Sequence, residues 1–309
     1  FRTGELAVRT DRPLDPGLYR VMVELAGAAV SPAAAGTAFW VRDDALLAAG
    51  PRLTASRDWL RRDGRVFPVV GTPYMAGDVH RKFLFEPNPA VWDRDMAAMR
   101  RAGVNFIRTG LWTGWGRLMS DPGAVDENAL RALDAFVLTA ARHDLAVCFT
   151  FFAFRPPLYG GDNPYLDPRA LAGQEALLAL VASRYRGVNW IHWDLINEPS
   201  YAPADALWTN RPMGDAFEAA AWADWVSRRP GEAAAPARDR WRDAGPTPLA
   251  VPAAAALLPG MVREERVPAK GFDFRLFTQD VAAGWAARLR AVLQAAGGEA
   301  LVTLGQDEA

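Results

Sequence analysis

The chain has 309 residues, 50% hydrophobic and 23% charged, enough to bury a barrel-sized core. Its formal net charge of −1 gives no electrostatic case for nucleic acid or an anionic membrane surface as partner. No apolar run reaches membrane-spanning length, and the single cysteine, Cys148, forms no internal disulfide.

The chain starts at Phe1 and carries no signal-peptide pattern. It is therefore expected to be a piece of a longer product, from a bacterial secreted or a cytoplasmic protein alike. Oligomeric state is not legible. Residues 1 to about 62 do not follow alternating strand–helix order. Tyr19, Val21, Val23 and Leu25 alternate with Arg20, Met22 and Glu24, a period-two strand with one wetter face. Ala38-Phe39-Trp40-Val41-Arg42 reads as a second strand. Two or three strands do not make a stable sandwich alone. Residues 1–62 are thus expected to be part of a small β-sandwich-like module that leans on upstream residues or on the domain that follows.

From residue 63 to 309 the pattern becomes strand–helix. Asp63-Gly64 supplies a turn, and Val66-Phe67-Pro68-Val69-Val70-Gly71 reads as the first barrel strand. Tyr74 follows at its mouth and His80 in the next loop. A helix from Pro89 to Ala102 places Trp92, Met96 and Met99 on one face and stops at Gly103. The second strand, Val104 to Arg108, closes on an arginine that is costly to bury unless paired. Trp112 and Trp115 lie just beyond, flat aromatics that suit either stacking on a ligand or loop packing. Asp126 to His143 is a helix with a core stripe of Leu130, Leu133, Phe136, Val137 and Ala140. Ala146 to Phe154 is nearly unbroken apolar sequence, as expected of a strand covered on both faces. Asp167-Pro168 then opens a third helix that runs to Gly187.

The fourth strand begins at Trp190 and ends Trp193-Asp194-Leu195-Ile196-Asn197-Glu198-Pro199. Proline cannot continue a ladder, so Pro199 leaves Asn197 and Glu198 at the strand's mouth, where barrel enzymes carry their chemistry. Burial among aromatics would raise the Glu198 pKa and suit it to act as an acid. Residues 200–271 carry only a short helical pattern over Ala216 to Trp225. An insertion at this place emerges on the catalytic face, as a lid or cleft wall. Asp273 opens a fourth helix, with Phe274, Phe277, Val281, Trp285, Leu289 and Val292 at helical spacing. Leu301 to Gly305 is a fifth strand, and Gln306-Asp307-Glu308-Ala309 follows it.

A strand ending in Asn197-Glu198-Pro199, preceded by a second strand ending in Arg108, resembles glycoside hydrolase family five, the cellulase and β-mannanase relatives. The resemblance runs from about Arg65 to the last residue. It implies a (β/α)8 TIM barrel, here with its first five strands, and a retaining β-glycosidase acting on β-linked poly- or oligosaccharides. It assigns the general acid/base to Glu198, the sugar 2-hydroxyl contact to Asn197, and to Arg108 a bond to the nucleophilic carboxylate. Tyr74, His80, Trp112, Trp115, Phe154, Tyr201 and Trp208 are the candidate carbohydrate contacts. Two departures stand out. Relatives often carry Asn-Tyr where this chain has Pro73-Tyr74, and many place a His at the end of the third strand, where this chain has Phe151-Phe152.

A retaining mechanism needs two carboxyl groups about 5–5.5 Å apart. In the family the second is a Glu ending strand seven. With five strands counted here, the nucleophile is expected outside the chain, and Glu308 is the one rival. A five-strand piece exposes an unpaired edge and is expected to be inert alone. The two-carboxylate mechanism calls for no cofactor. No metal site is expected either, since the three histidines, His80, His143 and His192, do not assemble a ligand set. The usual phosphate loops of barrels follow strands seven and eight, which leaves a phosphate-handling barrel unsupported. The remaining alternative is a non-catalytic carbohydrate-binding barrel that keeps the aromatics without the chemistry.

Overall fold

The computed structural model describes residues 9–27, 30–112, 114–209, 211–228, 241, 250–253 and 269–305. The chain divides into two compact units. One holds Phe1–Gly50, Val69–Ile107 and Asn128–Val147; the other holds Pro51–Pro68, Arg108–Glu127 and Cys148–Ala309.

The first elements are strands β1 (Gly17–Gly27) and β2 (Val30–Val41) and helix α1 (Asp44–Ala48). Short strands β3 (Leu53–Ala55), β4 (Leu60–Arg62) and β5 (Arg65–Val66) follow. Then come β6 (Gly71–Pro73), α2 (Pro89–Arg101), β7 (Phe106–Gly110), α3 (Trp115–Leu118) and α4 (Glu127–Arg142). The last elements are β8 (Ala146–Ala153), α5 (Pro168–Arg184), β9 (Ile191–Asn197), α6 (Ala216–Arg228), α7 (Ala269–Gly297) and β10 (Val302–Thr303).

Strands β6 to β10 form one five-stranded sheet in the order β10-β9-β8-β7-β6. A helix lies between each strand and the next, the crossover that parallel neighbours require. The order is that of the first five strands of a (β/α) barrel, and among the described residues the sheet is open. Two glycines permit close strand approach at the C-terminal ends. A Cβ on Gly110 would collide with the Thr150 carbonyl, and one on Gly305 with the Ile196 carbonyl.

The first barrel strand is not where the apolar pattern placed it. Arg65–Val66 instead pairs antiparallel with β4. Asp63 (φ 47) and Gly64 (φ 76) are both left-handed, the conformation of a two-residue hairpin turn whose twist suits the flanking strands. Pro68 then lacks the N–H a ladder needs. The barrel strand is β6, and Val70 pairs with Asn105 through backbone and side chain.

In the first unit, β1 and β2 form a long hairpin fixed to helices. Trp40 Nε1 donates to Thr139 Oγ1 at 2.9 Å. Arg20 donates to the Asp93 carboxylate at 2.7 Å, and His143 Nε2 lies 2.8 Å from its other oxygen. Phe83, Trp92 and Phe136, all fully buried, form the aromatic centre of this unit.

In the second unit the β3-β4-β5 meander meets the approach to β9, where Leu53 N–H donates to the Asn189 carbonyl at 2.8 Å. Helices α5 and α7 pack together through the buried Gln174. Its amide donates to the Pro157 and Pro164 carbonyls and accepts from Trp285 Nε1. This ties the loop after β8 to two helices.

The insertion after β9 has a core of its own. Trp222 on α6 is fully buried, stacked on Trp225 at 5.4 Å and on Trp241 at 5.6 Å, with Phe274 and Phe277 against it. Helix α7 therefore begins earlier than Asp273, the expected start. Asp273 lies inside the helix and accepts from Trp241 Nε1 at 2.7 Å, so it is an anchor for the insertion rather than a cap.

Candidate active site

Arg108 on β7 lies between two residues of β9. Its Nε and Nη2 donate to one oxygen of Asp194, at 3.1 and 2.6 Å, and its Nη1 donates to Asn197 Oδ1 at 2.9 Å. Thr150 on β8 donates to the same Asp194 oxygen at 2.8 Å. The Asp194 side chain is 3% exposed and that of Arg108 31%. A buried carboxylate is costly unless paired and hydrogen-bonded, and these three donors meet that requirement. The guanidinium also lies 5.2 Å from the centroid of the buried Trp112 ring, within cation–π range.

The arginine sets the orientation of the asparagine. A guanidinium has donors only, so the Asn197 atom facing it is the carbonyl oxygen. The Asn197 NH2 is then the group that can donate to a ligand hydroxyl.

Other polar groups on these strands are kept neutral. Burial, reinforced by the Asp194 charge, pushes the Cys148 thiol up to about 12. Burial pushes the His192 imidazole down. A thiolate nucleophile is thereby disfavoured, and among the described residues no group of three His, Cys, Asp or Glu side chains suits a metal ion.

Glu198 follows directly. It is exposed, not buried among aromatics as expected, and has φ 45. A left-handed non-glycine residue costs about 1–3 kcal/mol and persists where its surroundings over-determine it. Here the flanking backbone is held on both sides by Phe154. The Phe154 N–H donates to the Asn197 carbonyl at 2.8 Å, and the Phe154 carbonyl accepts from Ser200 N–H at 2.7 Å. Phe154 itself has φ 53. The strand end thus turns sharply and projects Glu198 outward.

The remaining aromatic candidates fall into distinct places. Trp208, 47% exposed, sits edge-to-face against Phe154 with ring centroids 5.2 Å apart. Trp115 meets Tyr159 at 5.4 Å in the same manner. Tyr201 stacks on Tyr165 at 5.3 Å and reaches Phe274 and Phe277, within the insertion's packing. In the first unit, Tyr74 is buried and donates to Asp95 at 3.1 Å. His80 there is exposed, with φ 53. Glu308 lies outside the described residues.

Two residues of this region escape a reading of the sequence. Asp194 is a lone carboxylate inside an apolar strand, and a charge set between Trp193 and Leu195 is the signal that could have found it. Ser200 gave no signal.

No family model and no curated protein matches the chain. Solved structures do. A β-galactosidase from the psychrophilic Marinomonas ef1 superposes with a TM-score of 0.51 at 16% identity, covering 77% of this chain and 37% of that one. GH5_18 from Streptomyces cattleya in complex with GlcNAc gives 0.46 at 11% identity, covering 77% of this chain and 44% of that one. An exo-β-1,4-mannosidase from Opitutaceae bacterium strain TAV5 gives 0.46 at 16% identity, over 78% and 32%. The chain spans less than half the length of each. These neighbours are glycosidases by name, one of them GH5, and the superposition on the β-galactosidase supports the (β/α) fold described above.

Proposed function

We propose that this chain carries the acid/base half of a retaining β-glycosidase that cleaves β-linked poly- or oligosaccharides. The observation that supports it most is Glu198, an exposed carboxyl group at the end of β9 in a left-handed conformation, one residue after an asparagine whose amide is oriented by Arg108. Glu198 protonates the leaving oxygen as general acid and then activates water as general base. Asn197 donates its amide N–H to the sugar 2-hydroxyl. Arg108 is held by Asp194, so its position does not depend on the nucleophile.

The nucleophilic carboxylate is supplied from outside this chain, with Glu308 as the one rival within it. The chain alone is then inert on natural β-glucans and β-mannans. Azide tests the absence of the nucleophile on a 2,4-dinitrophenyl β-glycoside, whose leaving group needs no acid. Without a protein nucleophile, azide displaces dinitrophenolate directly, with inversion, and the product is the α-glycosyl azide. A β-azide would place a working nucleophile in the chain and refute its absence. In any form that turns over polysaccharide, Glu198→Gln is expected to lower the rate about 10²–10⁴-fold. An unchanged rate would remove Glu198 as the acid and leave a carbohydrate-binding barrel.

A further inference from the structure

Two tryptophans are prominently exposed among the described residues, Trp59 at 56% and Trp208 at 47%. Trp59 lies between β3 and β4, and β3 bonds to the residues entering β9. Trp208 lies beyond the exit of β9, at the end that carries Glu198. An indole left half in water has a cost in unburied apolar area, and Trp208 adds a second cost with φ 62.

Ser200 holds this arrangement. It is 4% exposed and uses three polar groups on three segments. Its N–H donates to the Phe154 carbonyl at 2.7 Å. Its Oγ accepts from the Trp208 N–H at 2.8 Å. Its carbonyl accepts from the Tyr165 hydroxyl at 3.0 Å. Thus one side chain two residues past Glu198 fixes the backbone of the exposed tryptophan, while the Phe154 ring supports the indole.

An edge-to-face pair leaves at least one indole face uncovered by its partner. That face is flat, electron-rich and apolar. Its chemical match is the C–H face of a pyranose, whose hydroxyls remain in water while the ring stacks.

We propose that Trp208, supported by Phe154 and pinned by Ser200, is a sugar-ring platform for a β-linked hexose chain, and that Ser200 couples its position to that of Glu198. The proposal rests on the glycosidase reading for its ligand class. Trp208 binds the pyranose; Ser200 is a positioning residue and touches no substrate.

The test is affinity electrophoresis of the 309-residue chain in gels containing soluble β-1,4-glucomannan, with Kd taken from mobility against polysaccharide concentration. Retardation of the wild type is expected. Trp208→Ala should raise Kd about tenfold or more, the size typical of truncating a Trp anchor. Trp208→Phe should keep Kd within about threefold, since it retains a flat ring. Ser200→Ala should weaken binding although the ring is unchanged, and Ser200→Thr, which keeps a hydroxyl acceptor, should restore it. A wild type that is not retarded, or a Trp208→Ala chain retarded equally, overturns the platform. Weak binding by Trp208→Ala together with normal binding by Ser200→Ala overturns the coupling. Turnover separates the two claims. If Glu198→Gln leaves turnover intact in any active form, the acid assignment fails while the platform is judged on Trp208 alone.

Discussion

Asp93 and Asp194 are the same chemical problem solved in two units of the molecule. Each is a carboxylate with almost no exposure, and each is met by arginine. The partners of Asp93 join elements: Arg20 from β1, and Arg142 and His143 at the end of α4. Their role ends there. The partner of Asp194 goes further, because Arg108 has donors left over and spends one on Asn197. A buried ion pair becomes part of a site when its cation has a second, oriented job at a strand mouth.

That contrast predicts different consequences when each cluster is broken. The largest effect is expected from Asp194→Ala, which strands the Arg108 charge and leaves the Thr150 hydroxyl without its acceptor. Removing one member of a buried pair costs about 3–5 kcal/mol. Urea unfolding should show that loss, together with loss of glucomannan turnover in any active form. A stable Asp194→Ala chain would mean that Arg108 readily finds another partner.

Asp93→Ala should cost less, about 1–3 kcal/mol, because the Arg20 and Arg142 side chains it abandons are half or more exposed. Saccharide binding should not change. A change in glucomannan Kd here would blur the distinction between the two clusters.

Arg108→Lys is a finer test. The charge survives, but a single ammonium cannot reproduce the fork that bonds Asp194 and Asn197 together. The expected loss is about 1–2 kcal/mol, in transition-state stabilisation rather than in folding, read as a fall in kcat/KM in any active form with little change in unfolding midpoint. Equal losses in both would show that Arg108 is only a structural cation.

The smallest effect lies in acid. Burial works to raise the Asp93 pKa, but hydrogen bonds with His143 and Arg20 hold it below its ordinary value of 3.8. A carboxyl depressed in the folded state stabilises it above the unfolded pKa, and that contribution disappears as pH falls through the folded value. The stability gap between wild type and Asp93→Asn should therefore be full near neutrality and close below about pH 4. A gap independent of pH would show that the charge of Asp93 is not what stabilises the unit.

Much of the molecule was legible in advance for a simple reason: periodicity and punctuation are local. The apolar run of β8, the stripe of α4, the Asp167-Pro168 start of α5 and the Pro199 stop of β9 each declare themselves within a few residues. The class of fold follows from their order, and Glu198 and Asn197 follow from their place after a buried strand. Where two local patterns competed, the reading failed. Val66 to Gly71 is apolar enough for a barrel strand, but the left-handed Asp63-Gly64 turn folds its first residues back on β4. The start of α7 was hidden because Asp273 looks like a cap and in fact receives an indole N–H from Trp241, 32 residues earlier.

What only the tertiary structure decided is which side chains meet. Arg108 and Asp194 are 86 positions apart, and Phe154, Ser200 and Trp208 come from two loops. Hydrogen bonds of this kind are set by strand register and loop return, which no local window contains. The sequence could place a carboxyl group at a strand end. The packed sheet was needed to hold its backbone in a strained turn, orient the amide beside it, and leave one tryptophan face open to water.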